Sequence, residues 1–184
     1  SKIFVGEDGK PLISFYDGTL NGSLKLYVCG TIECAHGDLK VLLTGLDIAG
    51  TSRSSVVTLS NGNPAVAYGS GNKIGVYVCD DRECSTGSTT EINNNNSVPY
   101  EIDMAYVEGD ERPIIVEGST IYKCDDSLCS GLTIPHQTYN LPGYSYSVEI
   151  GSDGYPVIGF SDGGVGDGLG AIKCNTFDCS SYIW

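Results

Sequence analysis

The chain has 184 residues, 40% of them hydrophobic, with 25 Gly and 12 Tyr, and its 10 basic and 23 acidic side chains give a formal charge of −13. A charge of that sign excludes the basic footprint that nucleic-acid phosphates require and disfavours anionic membrane surfaces, while leaving Ca²⁺ and cationic partners open. No apolar run approaches the ~20 residues of a membrane-spanning helix, and no window sustains a 3.6-residue apolar period, so essentially no helix is expected.

Short apolar runs with period-two alternation, separated by Gly/Asp/Asn–Pro turns, read instead as β-strands. The first unit runs through Ser1–Val5, Leu12–Tyr16, Leu24–Val28 and Leu39–Leu43, and the second through Ser54–Leu59, Ala65–Tyr68, Ile74–Val78 and Thr89–Ile92. The third runs through Tyr100–Val107, Ile114–Val116, Thr120–Lys123 and Leu132–Ile134; the fourth opens at Tyr144–Ile150, repeats the pattern and ends in a short strand at the C-terminus. Asn61-Gly62 and Asp153-Gly154 are hairpin turn pairs, and in each unit a Pro (Pro11, Pro64, Pro113, Pro156) opens the second strand, where a missing N–H does least harm. Four such strands per unit, repeated four times, predict an all-β, four-bladed β-propeller of four-stranded antiparallel blades. An open or linear stack of the same blades is the alternative. One repeat domain is expected over 1–184, with blades at about 1–50, 51–97, 98–142 and 143–184.

All eight cysteines fall into C-x4-C pairs, Cys29/Cys34, Cys79/Cys84, Cys124/Cys129 and Cys174/Cys179, each across a turn between the third and fourth strands (c and d). A hairpin of that length brings two Cα atoms within disulfide range, and the even, regular set in an acidic chain predicts four disulfides and a location outside the cytosol, extracellular or at the cell surface. Their expected task is to pin the exposed outer edge of each blade. Zinc held by two pairs is the rival, made unattractive because a propeller keeps neighbouring pairs apart. A chain beginning Ser-Lys-Ile-Phe is expected to be processed or to be a window of something longer.

The pattern Asp8-Gly9…Pro11…Ile13…Asp17…Leu24-Lys25…Cys29…Cys34, matched in the fourth unit by Asp153-Gly154…Pro156…Ile158…Asp162, resembles an uncharacterised tandem repeat of secreted bacterial proteins. The second and third units depart at the last Asp, with Ser70 and Ser119 near its place. The resemblance implies a β-propeller-like extracellular architecture and brings no activity with it. The sialidase-type Asp-box is absent.

In this topology the a–b and c–d turns share one face, and the b–c loops and d–a connections share the other. The second face carries the variable segments and is the expected binding face. Two glycosylation sequons, at Asn21 and Asn95, fall on it. Asp17, Asp162 and Asp167 in Gly-rich loops are weak Ca²⁺ candidates, none in a complete cation loop, so no cofactor is expected. Asp80-Asp81 and Asp125-Asp126 read as turn formers. Tyr100, Tyr106, Tyr139, Tyr144 and Tyr146 read as strand-face packing before they read as a sugar platform. His36 and His136 have no triad or metal pattern around them. A carboxylate pair could assemble across the axis, but no spacing points to one. The expectation is therefore a non-enzymatic extracellular structural module, a self-assembling surface or filament subunit, with a carbohydrate- or protein-binding module (lectin or adhesin) as the alternative. The expected partners are further copies and glycans, with no membrane insertion.

Overall fold

The structure is a computed structural model that describes residues 1–18, 22–47, 53–93, 99, 101–107, 112–133, 145–162 and 168–183, with the backbone alone at Val107 and Asp162. Sixteen strands form four antiparallel sheets, and no α-helix occurs among the described residues. Blade 1 is β1 (Lys2–Val5), β2 (Pro11–Asp17), β3 (Ser23–Cys29) and β4 (Gly37–Leu43); blade 2 is β5 (Ser55–Thr58), β6 (Pro64–Ser70), β7 (Lys73–Cys79) and β8 (Gly87–Asn93). Blade 3 is β9 (Ile102–Val107), β10 (Arg112–Glu117), β11 (Thr120–Cys124) and β12 (Leu132–Thr133); blade 4 is β13 (Tyr146–Ile150), β14 (Pro156–Asp162), β15 (Gly168–Cys174) and β16 (Tyr182–Ile183). Each sheet pairs its strands in chain order. The first strand of each blade packs against the first strand of the next, β1 on β5, β5 on β9 and β9 on β13. These strands lie innermost, around a common axis.

Three apolar clusters join the blades. Leu12, Leu24 and Leu26 of blade 1 meet Val56, Val66 and Tyr68 of blade 2. Ala65, Ala67 and Val76 of blade 2 meet Met104, Ile115 and Tyr122 of blade 3. Ile114, Val116 and Ile121 of blade 3 meet Val148, Ile158 and Ile172 of blade 4. Blades 2 and 3 thus each show a leading face to the blade after and a trailing face to the blade before, as the period of two along a strand requires. Stacking of both faces is what makes the repeat stable, since one sheet alone cannot bury its apolar side.

Disulfides join Cys29–Cys34, Cys79–Cys84, Cys124–Cys129 and Cys174–Cys179, with Cα–Cα separations of 4.7 to 4.9 Å. Their position corrects the expected one. Cys79, Cys84, Cys124, Cys129, Cys174 and Cys179 are at most 4% exposed and belong to the interblade clusters. In blades 2, 3 and 4 the bridges lie under the blade edge, against the preceding blade, because the c strand delivers its last residue to the trailing face.

Candidate functional site

The innermost strands all start on the face that carries the b–c loops, and their first residues converge there. At one repeat position stand Lys2, Ser55, Asp103 and Ser147, each immediately before an apolar residue of the trailing face. Asp103 is 5% exposed. Its carboxylate accepts from Lys2 Nζ at 2.9 Å, Ser55 Oγ at 2.8 Å and Ser147 Oγ at 2.6 Å. It also accepts from the backbone N–H of Val148 at 3.1 Å and of its neighbour Met104 at 3.0 Å. A buried carboxylate needs such donors, and here three other blades supply them.

Two residues earlier, just ahead of β9 and β5, Glu101 accepts from Arg53 at 3.0 Å, with side-chain exposures of 14% and 59%. Its second oxygen accepts from the backbone N–H of Tyr146 at 3.2 Å. Burial raises the pKa of the Tyr146 phenol, whose ring leans on Phe160 at a centroid distance of 6.1 Å. Beneath this layer Ser54 Oγ bonds Ser14 Oγ at 3.0 Å. A small opening of about 160 Å³ at this mouth is walled by Lys2, Arg53, Ser54, Glu101 and Ser147. It presents two cations, two carboxylates and hydroxyls in fixed positions, a set suited to hydroxyl-rich ligands. Both oxygens of each carboxylate accept hydrogen bonds or ion pairs from these donors.

The expected site residues do not gather in the same way. Asp17 accepts from Lys25 at 2.5 Å, at the loop end of blade 1. Asp162 closes β14 opposite Gly168, with its backbone alone described, and Asp167, Asn21 and Asn95 lie outside the described residues, as do Tyr100, Tyr139, Tyr144 and His136. Tyr106 and Tyr146 pack into interblade clusters. His36 sits at the c–d turn of blade 1, on the opposite face, where its carbonyl accepts from Gly30. Among the described residues no three His, Cys, Asp or Glu side chains converge as a metal-ligand set. Lys2, Arg53, Glu101 and Asp103 were not singled out by the sequence. For Lys2 and Asp103 the signal was available in the alignment of the repeats, as a polar position that takes Lys, Ser, Asp and Ser in turn.

No family model and no curated protein matches the chain. Solved structures do share its fold. A protein of unknown function from Dyadobacter fermentans superposes with a TM-score of 0.60 at 11% identity over 92% of this chain. An alpha-L-arabinofuranosidase from Fusarium graminearum, a mutant in complex with an iminosugar inhibitor, gives 0.59 at 12% identity, also over 92%. An alpha-L-arabinofuranosidase from Podospora anserina in complex with cellotriose gives 0.57 at 10% identity over 98%. The chain spans 50%, 55% and 64% of those three proteins. At such identities the likeness is one of fold, the β-propeller type. It nonetheless corrects the functional expectation: the characterised fold neighbours are sugar-active enzymes, which does not support a non-enzymatic structural subunit of a surface or filament and fits the binding alternative better.

Proposed function

We propose that this chain is a carbohydrate-binding module whose ligand sits at the axial mouth on the b–c loop face. The observation that carries the reading is the layer of Arg53–Glu101 and Lys2–Asp103 pairs there, with hydroxyls between them, on a fold also used by proteins crystallised with an iminosugar inhibitor and with cellotriose. The charges at the mouth balance, whereas the chain as a whole carries −13. Its field repels polyanionic glycans, so the expected ligands are neutral ones. Four disulfides suit an oxidising compartment, and we place the protein outside the cell.

The test is titration calorimetry of the wild-type protein, Arg53→Ala and Glu101→Gln against neutral arabino-, xylo- and gluco-oligosaccharides. Loss of one charged hydrogen bond of this kind costs roughly 1.5–3 kcal/mol, about tenfold or more in affinity. Lys10→Ala on the opposite face serves as the control and should bind as wild type. Binding unaffected by both axial variants, or abolished by the control, would overturn the reading. The second reading, glycoside hydrolysis, is favoured by the two arabinofuranosidases among the fold neighbours and by the proximity in sequence of Glu101 and Asp103. Sugar release from the same oligosaccharides, lost in Glu101→Gln, would establish it instead.

A further inference from the structure

Three of the four possible joints between successive blades are filled by apolar clusters, and the joint between blade 4 and blade 1 has none among the described residues. Its two faces are nevertheless built like the others. On the trailing face of blade 1, Ile3 occupies the repeat position of Val56, Met104 and Val148; those three are at most 3% exposed, and Ile3 is 62% exposed. On the leading face of blade 4, Leu169 occupies the position of Leu24 and Ile74; both are fully buried, and Leu169 is 92% exposed. The d strand carries the same message. Where the covered trailing face of blade 2 has Thr89 and Glu91, paired with Tyr77 and Gly75, blade 1 has Leu39 and Val41, paired with Tyr27 and Lys25.

Apart from Ile32 and Leu128 at the c–d turns, every exposed large hydrophobic residue among those described lies on these two faces. Burial is thus withheld from Ile3 and Leu169, whose repeat equivalents form the core, and exposed patches of this kind mark contact surfaces.

We propose that the leading face of blade 4 in one copy of this chain docks on the trailing face of blade 1 in a second copy, continuing the blade-on-blade contact that joins the blades within the chain. A second copy is the occupant because the surface that covers a trailing face is, at all three filled joints, a leading face of this same repeat. Among the described residues the one leading face left uncovered belongs to blade 4. Such a contact is heterologous, the two patches being different. The inference does not depend on what the axial mouth binds.

Sedimentation velocity on the wild-type protein over roughly 1–100 µM, the range of a modest interface, should show concentration-dependent association. Leu39→Glu spoils one face and Leu169→Glu the other, so each alone should remain monomeric over that range. An equimolar mixture of the two retains one intact pair of faces and should form a 1:1 dimer and nothing larger. Both side chains are exposed, so each variant should also keep the thermal midpoint of the wild-type monomer. A wild-type protein monomeric throughout, or a mixture that stays monomeric, would overturn the proposal. So would a lowered midpoint in monomeric Leu169→Glu, which would mean that the face packs within its own chain.

Discussion

Asp178 illustrates how single side chains hold the turns of this protein. Burial pushes its carboxyl pKa up, but the N–H of Ser180 at 3.1 Å and the hydroxyls of Thr176 and Ser180 outweigh that and bring it to about 2. An unfolded Asp titrates near ~3.9. The folded value is the lower one, so the stabilisation is fully present above the unfolded pKa and is lost as pH falls through the folded one. Asp178→Asn should therefore melt below wild type at pH 7. In a chain of this size the gap should be about 2–4 °C, equivalent to roughly 1 kcal/mol once solvent screening is allowed for. The gap should close as pH falls from about 5 to about 2. Thermal melts of the two proteins along that series check it, and a constant gap would mean that the carboxylate charge contributes nothing. Elsewhere the residue scale was partly legible. Asp81 and Asp126 read as turn formers, and each accepts a backbone N–H four residues on. Thr31 does the same for Ala35, but a Thr has no such reading until the repeats are aligned.

Strand order, strand type and the hairpin at each C-x4-C pair could be read from period-two runs and turn residues, because both signals are local. What could not be read is how deep a hairpin sits, which depends on the neighbouring blade. The second cysteine of every pair, Cys34, Cys84, Cys129 and Cys179, has φ between 52° and 57°, a left-handed conformation rare outside Gly. The turn at that residue, with the bridge, returns the chain beneath the blade. Gly75 shows the same dependence on packing: a Cβ there would lie 2.4 Å from the ring of Tyr68 on the adjacent strand. The disulfides should accordingly differ in worth. Closing a loop this short contributes about 2 kcal/mol, and the buried pairs add apolar burial of roughly 1–2 kcal/mol. Replacing Cys124 and Cys129 by Ala should therefore cost about 3–4 kcal/mol. Replacing Cys29 and Cys34, where Cys34 is only half-buried and neither belongs to an interblade cluster, should cost nearer ~2 kcal/mol. Denaturant unfolding of the two double variants decides this. Equal losses would return the disulfides to the edge-pinning role expected from the sequence.

Across the whole molecule the axis is layered, and the layers follow from the repeat. Along the innermost strands a charged layer of Arg53 and Glu101 comes first, then Lys2, Ser55, Asp103 and Ser147, and then Phe4, Val57, Ala105 and Glu149. Beyond the polar layers an axial cleft of about 670 Å³ opens toward the disulfide face between apolar residues such as Val5, Met104 and Ile150. The buried apolar clusters join neighbouring blades, with Phe4 of blade 1 reaching the cluster between blades 2 and 3, and the polar layer adds contact across the axis. Lys2 of blade 1 reaches blade 3 through Asp103, and so does Ser147 of blade 4. Removing that carboxylate leaves an ammonium, two hydroxyls and the Val148 N–H without this acceptor, while the Met104 N–H keeps Ser55 Oγ at 3.1 Å, and breaking a buried pair from one side costs about 3–5 kcal/mol. The lower end applies here, because Lys2 is 34% exposed and can rehydrate. Asp103→Ala should thus lose about 3 kcal/mol in denaturant unfolding. Asp103→Asn keeps one acceptor for Ser55 and Met104 and should lose less. The loss should also be uneven. Blade 1 is held to the rest by its joint with blade 2 and by Lys2, so amide exchange in β1 should rise well before exchange in β5 or β9, whose strands are clamped on both sides. A rise in exchange confined to β9 would show that Asp103 stabilises blade 3 alone and does not clasp the blades together.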